Sequence, residues 1–481
     1  MVTTADHTTA DPALTPPPGC PAHGLGPGGL RRLYGPEAES DPMGLYATLR
    51  ADYGPVAPVL LHGDLPVWLV LGHREALEVA RTPSRFSRDS RRWSAFRDNL
   101  VPADSPLLPM VTWQPVTVCV DGAEHLRLRK AVTDSLEQLD RRGVRRHVTR
   151  FADQLIDEFA GSGSADVIAQ FAERLPMLVM TQLLGMPEEN GPQLVNATLD
   201  LMKATETAIT SEHYVVSTLR QLVERKAQTP GADITSWLLR HEAQLSHDEV
   251  IAHLRLILSA SNVTTINLIA DTLWTVLTDP RFRANLSGGQ RTLLEALDQV
   301  LWDSPPALVV TGWWATGDTE LAGQPIREGD MLLLGVAAGN VDPAIRPDLS
   351  EPLYGNRAHL AFSAGPHECP GQDIGRAIAE TGIDVLLTRL PDLRLGVPES
   401  ELRWTSSWMA RHLVALPTRF TATRPRSAAA PVPGQRSAPV AAPVTPLSPY
   451  AQPVSPYAQP VPVDRAPRRG WWARLTGRGV S

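Results

Sequence analysis

Apolar and polar positions divide the chain into three stretches. Residues 1–30 mix Pro, Gly and Thr without periodic apolar spacing, which predicts a flexible leader. From 31 to 421 apolar positions are dense enough for one packed body, opening with two strand-like runs, Val56–Leu61 and Val67–Leu71, and then turning mainly helical. The strongest helix signal runs from Ser246 to about Thr278. Ser246 and Glu249 have the spacing of a capping box, and Asp279-Pro280 stops the helix. At the helical rise this is a rod about 48 Å long, apolar on nearly every side and therefore expected to be buried. Its middle breaks the pattern: Ser259, Ser261, Asn262, Thr264 and Thr265 form a polar notch. Buried, such hydroxyls need partners, and the simplest are carbonyls one turn earlier.

The third stretch, 422–481, reads as a disordered, Pro-rich basic tail. Twelve prolines lie between Arg424 and Pro467, including the tandem repeat SPYAQPV at Ser448–Val454 and Ser455–Val461, a composition that favours extended chain over a core. Beyond it, Arg468–Arg478 carries Trp471, Trp472 and Leu475 among its arginines; this is either a solvated terminus or a docking segment for a partner protein or an anionic membrane surface. The tail holds eight arginines and one acid, a charge of +7, against −7 for the whole chain, so the remainder is −14. A body that acidic excludes broad nucleic-acid binding. Three scattered cysteines make no disulfide framework and point to a reducing cytoplasm. No run of about 18 apolar residues suggests a membrane span, and the first 18 residues, with Asp6 and Asp11 but no Lys or Arg, do not resemble a signal peptide.

The richest chemistry lies in His359–Arg376, HLAFSAGPHECPGQDIGR. Cys369 is flanked by Gly365 and Gly371, preceded by Phe362, and followed by a helical run to Leu390. Pro370 suits a first helical position, which would set Cys369 at a helix N-terminus where the dipole and free amides favour a thiolate, a soft metal ligand. Cys119 reads as a small buried hydrophobe, and Cys20 with His23 is only half of a metal spacing.

The pattern F-x-x-G-x-H-x-C-x-G from Phe362 to Gly371 resembles the haem-binding loop of the cytochromes P-450. The resemblance extends from about Leu30 to Phe420. Asp121–Lys130 (DGAEHLRLRK) is similar to the family's helix that grips the haem propionates, Ala338–Pro343 (AGNVDP) to its A-N-R-D-P turn, the notched helix to its central oxygen-side helix, and Trp404–Pro417 to its last substrate-contacting turn. The resemblance implies a mainly α fold with a small β-rich lobe, holding haem b between the long helix and the cysteine loop. It implies Cys369 as proximal iron ligand, with Phe362, Gly365 and Gly371 shaping the loop. His125, Arg129 and His367 are then candidates to pair with the propionates, and Thr264 is the distal hydroxyl.

Three departures from that pattern stand out. The central helix of the family reads A-G-x-(D/E)-T, whereas Ala260–Thr264 is ASNVT, so Val263 replaces the acid. The E-x-x-R motif aligns with Gln299–Trp302 and its partnering arginine with Tyr354, with Arg357 nearby but out of register. Removing all the charges of such a triad leaves none stranded and can be neutral; this resembles an unusual bacterial branch whose motif ends in Trp. The strand arginine that reaches a propionate aligns with Trp313, read as a packed aromatic in the substrate-side wall.

The resemblance implies a haem-thiolate monooxygenase acting on a medium-sized hydrophobic molecule, its pocket shaped by Phe86–Met110, Asn196–Tyr214, Ser259–Thr264, Ala307–Trp314 and Ser406–Arg411. The sequence shows no dinucleotide-type G-x-G-x-x-G after a strand and no four-cysteine cluster, so the electrons are expected from a ferredoxin and its reductase. Arg376 and Arg127–Arg129 are candidate contacts for an acidic ferredoxin, or else pair with propionates or the helix surface. The competing reading, motivated by Val263 and the tail, is a haem-bearing interaction or signalling protein with little turnover.

Overall fold

The computed structural model describes residues 29–426 apart from 204–205, 280–281, 283–291, 352 and 354. The leader (1–28) and most of the tail (from 427), on which the docking expectation rests, lie outside the described residues, as does Tyr354.

The β-rich lobe is built on a six-stranded sheet. Its strands are β1 (Arg31–Arg32), β2 (Val56–Leu61), β3 (Leu65–Val70), β4 (Phe86–Ser87), β6 (Val309–Ala315) and β9 (Met331–Gly335), in the order β1-β2-β3-β9-β6-β4. Every residue of β2 and β9 is buried, because apolar side chains cover both faces of the sheet, so these strands read as continuous apolar runs rather than alternations. The smaller sheets join β5 (Ser164–Asp166) to β13 (Pro417–Arg419) and β10 (Arg394–Leu395), and pair β7 (Thr319–Leu321) with β8 (Gln324–Ile326) and β11 (Trp404–Ser406) with β12 (Arg411–Leu413).

The helical part supplies the largest core. Its principal helices are α2 (Gly122–Glu137), α3 (Arg141–Phe159), α4 (Leu175–Leu183), α5 (Ala208–Gln228), α6 (His247–Thr278), α7 (Leu293–Asp303) and α8 (Gln372–Arg389); the shorter α1 (His73–Arg81) lies beside the sheet. The predicted long helix is α6, and the Ser246–Glu249 capping box closes reciprocally. It packs against α4, α5, α7 and α8 and is buried toward both ends. By length and composition α6 is apolar enough to cross a membrane, contrary to the expectation from sequence, but most of that stretch is inside the core.

The body continues past the expected boundary at 421. The Thr423 N–H donates to Ala160 O (2.9 Å) and the Arg426 N–H to Asp157 Oδ1 (3.0 Å), tying the first tail residues to α3.

Inside α6, Asp271 is fully enclosed. Ser304 donates to its Oδ2 at 2.8 Å and its Oδ1 has no partner. Burial pushes its pKa up to about 7, against the opposing Ser304 hydrogen bond and the charge of Arg411. The folded state therefore binds this proton more tightly than the unfolded chain, whose aspartates titrate near 4. The Asp271 contribution to stability is greatest below about pH 4 and is lost as pH rises toward about 7. We expect Asp271→Asn to flatten the thermal-stability profile between about pH 4 and 7 and to raise the melting temperature above the parent's at pH 8; unchanged pH dependence would contradict it.

Candidate active site

The cysteine loop is fixed by backbone geometry before any side chain acts. The Cys369 N–H donates to Phe362 O at 2.9 Å and closes the segment between them. Gly365 turns it with φ +68°, and a Cβ there would lie 2.5 Å from the carbonyl oxygen of Ala80 at the end of α1. Asn340, fully buried, receives the Leu360 N–H (2.8 Å) on its side-chain oxygen and donates to Leu301 O of α7 (2.9 Å), so the AGNVDP segment bridges helix and loop.

Cys369 itself is half-buried. Helix α8 begins at Gln372 with Gly371 as its N-cap, so Pro370 lies outside the helix and the expected first helical position is corrected by two residues. Burial pushes the Cys369 thiol up, only partly opposed by the Gly371 N–H and the Arg129 charge. Without a positive charge at the sulfur, burial thus outweighs the helix and amides that favour the thiolate.

Beside this loop, the His125 and His367 rings lie 4.1 Å apart. His125 is buried with Nε2 unpartnered, and its pKa is lowered to about 4 by burial and by the charges of His367 and Arg129. His367 approaches Asp121 Oδ1 through Nε2 at 3.3 Å. Asp121 stands at the N-cap position of α2 without capping it. Its carboxylate instead accepts Ser87 Oγ (2.5 Å), the Arg88 N–H (2.8 Å) and His367; burial raises its pKa, but these bonds outweigh burial and hold it below the usual range. Arg129 donates to Glu368 O at 2.5 Å, which ties α2 to the cysteine loop. Sequence reasoning missed Asp121, Ser87 and Arg88 as a linked group; an N-cap aspartate is legible as a cap, and nothing in the spacing announces that it serves elsewhere.

Helix α6 opens at its notch. Ser259, Ala260 and Thr264 are exposed in the middle of a helix buried on either side. Ser259, Ser261 and Thr264 all bond back to carbonyls of the preceding turn, Thr264 Oγ1 to Ala260 O at 2.7 Å. Asn262 is buried with Oδ1 unpartnered. Thr265 faces α8, where a Cβ on Gly375 would lie 3.8 Å from its hydroxyl, so the notched helix and the helix after Cys369 pack directly.

The donor chemistry fits haem. Among the described residues no group of three or more His, Cys, Asp or Glu is placed to hold a metal ion, so Cys369 can bind iron only if other ligands come from a bound group. The orphaned His125 nitrogen and the open notch fit a porphyrin between α6 and the loop.

The altered triad is refilled. Trp302, 1% exposed, donates Nε1–H to Asn356 O at 2.8 Å, meets the His359 ring edge-on at 5.9 Å, and lies under the Arg346 guanidinium at 5.4 Å. Arg346 pairs with Asp303 (2.8 Å). One step N-terminal of Gln299, Asp298 pairs with Arg376 at 2.5 Å, both buried. Arg376 is thereby withdrawn from the surface and corrected as a ferredoxin contact, while Arg127 is engaged by Glu124 and Glu249. Trp313, 1% exposed, is packed with Phe86 and Leu332 in the sheet core, which corrects its placement in a substrate-side wall.

The comparisons with known proteins say which family this fold belongs to. The chain is 30% identical to the cytochrome P450 monooxygenase PikC of Streptomyces venezuelae over 80% of its length and 92% of the relative's. It is 29% identical to the 2-hydroxy-5-methyl-1-naphthoate 7-hydroxylase of Streptomyces carzinostaticus over 79% and 95%. The solved structure of CYP154C4 from Streptomyces sp. W2061 superposes with a TM-score of 0.72 at 28% identity, covering 81% of this chain and 97% of that one. No family model matches the chain. The chain belongs to the cytochrome P450 family and is a monooxygenase of it.

Breaking the new ion pair tests how the triad was replaced. Arg376→Ala strands Asp298 and is expected to cost about 3–5 kcal/mol, whereas Asp298→Leu with Arg376→Met together should cost much less. Denaturant melts of the two variants check this; equal losses would mean the pair matters only as packing.

Proposed function

We propose that this chain holds haem b with the Cys369 sulfur as its proximal ligand, and inserts one oxygen atom from dioxygen into a medium-sized hydrophobic small molecule. The observation that carries the reading is the pairing of a single loop-fixed cysteine with an exposed notch in an otherwise buried helix. One relative's name, a methylnaphthoate hydroxylase, supports a substrate of about that size with a hydrophobic aromatic body. When bound, the haem supplies dioxygen activation, with the thiolate's electron donation favouring O–O cleavage.

The chain's own residues do the rest. Gly371 borders the sulfur and its N–H donates to it, tempering its charge, while Phe362 O accepts the Cys369 N–H. His125 offers an unengaged buried nitrogen for a propionate, His367 is oriented by Asp121, and Arg129 braces the cysteine loop from α2. At the notch, Thr264 Oγ1 holds a proton that it now gives to Ala260 O; a rotation about χ1 aims it into the open space. Val263 cannot relay a proton to it. Asn262, with its unpartnered oxygen, is the polar group left to hold a water there.

Electrons come from a ferredoxin and its reductase. Cys119 and Cys369 are both free, as suits the reducing cytoplasm in which we place the protein.

The ferrous protein under carbon monoxide should show the long-wavelength Soret band of thiolate ligation, and Cys369→Ser should abolish it. A histidine-type band in the parent, or an intact thiolate band in the variant, would sink the assignment. With isotopic dioxygen and a surrogate ferredoxin system, one labelled oxygen atom should enter the product.

The notch makes a separate prediction. Val263→Asp restores an acid beside Thr264 and should raise product formed per NADPH consumed several-fold, since a positioned acid contributes on the order of 10²-fold or more where proton delivery limits. Thr264→Ala should lower it. Unchanged coupling in both variants would show that protons reach the site by another route.

A further inference from the structure

We infer that Arg88 is the cation that binds a haem propionate in this chain, taking over from the strand position that Trp313 occupies. The inference rests on the haem reading above and concerns a residue outside the family motifs matched in the sequence.

Strand pairing delivers Arg88 to that place. β4 meets β6 antiparallel with Phe86 opposite Ala315 and Ser87 opposite Trp314, so the residue after Ser87 emerges beside Trp313. A bulge in β6 between Val310 and Trp313 opens the way. Gly312, within it, has φ +90°, and a Cβ there would come within 3.3 Å of Arg88 Nη1.

The guanidinium is held on three sides. Its Cζ lies 4.2 Å from the centre of the Trp313 ring, Nε donates to Val118 O at 3.1 Å, and Nη1 donates to Thr311 O. Its own backbone N–H goes to Asp121 Oδ2 at 2.8 Å. All these partners fix the fork in place, yet none neutralises it: among the described residues no carboxylate is within ion-pair distance of the guanidinium, and Nη2 carries no hydrogen bond. A rigid, half-buried cation with a spare donor is a poor structural filler and a good receptor for a carboxylate.

Its surroundings say which carboxylate. The charge of Arg88 acts on both His125 and His367, so the three groups share one locality, and in it the His125 Nε2 is buried without a partner. Two independent donors without acceptors, one on α2 and one after β4, converge where the family places the propionate edge of haem. Asp121 is the rival counterion, but its oxygens are taken by Ser87, His367 and the Arg88 backbone.

The test compares haem with its dimethyl ester, which lacks the propionate charges. Each is reconstituted into the full-length protein after the protein's own haem has been extracted, and its loss to excess apomyoglobin is timed. Relative to the parent, Arg88→Ala should speed haem loss roughly 10- to 100-fold, the span of a charge-assisted bond, while leaving loss of the ester unchanged. Arg88→Lys should fall between. Adding Trp313→Arg to Arg88→Ala should restore most of the retention by returning a cation from the strand side.

Equal acceleration for both porphyrins would make Arg88 a structural brace and overturn the proposal, as would no acceleration, or equal loss of both porphyrins from the parent. Should Arg88→Ala fail to yield holoprotein, Arg88→Gln, which keeps the hydrogen-bonding bulk without the charge, is put through the same pair of porphyrins and decides by the same criteria. The carbon monoxide spectrum of the parent separates this from the wider reading: a thiolate band with no Arg88 effect removes only the assignment of Arg88, whereas a histidine-type band removes the haem-thiolate reading itself.

Discussion

The position of one sulfur depends on a clamp made almost wholly of backbone. The Cys369 amide closes on Phe362, the left-handed Gly365 presses against the end of α1, and the Asn340 amide spans from α7 to Leu360. Each contact fixes the loop to a different element, so the sulfur's place is over-determined by the sheet lobe and the helical lobe together. A buried amide such as Asn340 can do this because both its donor and its acceptor are used; losing either would leave a polar group stranded in the core.

The same bookkeeping explains how the chain tolerates the loss of the family's charge triad. With Trp at 302 and Gln at 299, a lone carboxylate or guanidinium in this region would cost several kcal/mol. None is left alone. Trp302 fills volume and satisfies its own N–H on Asn356, Arg346 is paired with Asp303, and Arg376 with Asp298. His359, in the space between, is kept neutral by burial, which lowers its pKa to about 4, with the Arg376 charge acting in the same direction. Charge pairing has moved to Asp298 and Asp303, each one residue outside Gln299–Trp302, rather than disappearing.

What the sequence made legible follows from how local each signal is. The α6 boundaries were readable because capping boxes and proline stops act over three or four residues, and β2 because a fully buried strand is apolar at every position. The mainly α fold with its β-rich lobe was legible through the cysteine loop, whose spacing encodes one backbone path. The Asp298–Arg376 pair joins residues 78 apart and the Arg88–Trp313 stack residues still farther apart, and no periodicity connects such partners. Pro370 misled for a related reason: its fixed φ suits a first helical turn, but the bend that the Phe362–Cys369 bond imposes is a loop property, and α8 starts only after Gly371.

The two sides of the site are therefore altered in opposite senses. On the cysteine side, the described charges around Gln299–Trp302 are paired again, by Asp298 with Arg376 and Asp303 with Arg346. On the α6 side, the acid at 263 is gone and no described carboxylate replaces it in the notch; Ser259, Ser261 and Thr264 turn their hydroxyls back on the helix, and only Asn262 keeps an open acceptor. An amide can order a water but cannot exchange a proton with it at neutral pH, whereas a hydroxyl can pass one only if a donor stands behind it. Cofactor retention and proton supply are thus separable demands, met by different elements, and it is the second that this chain leaves to water, substrate or partner.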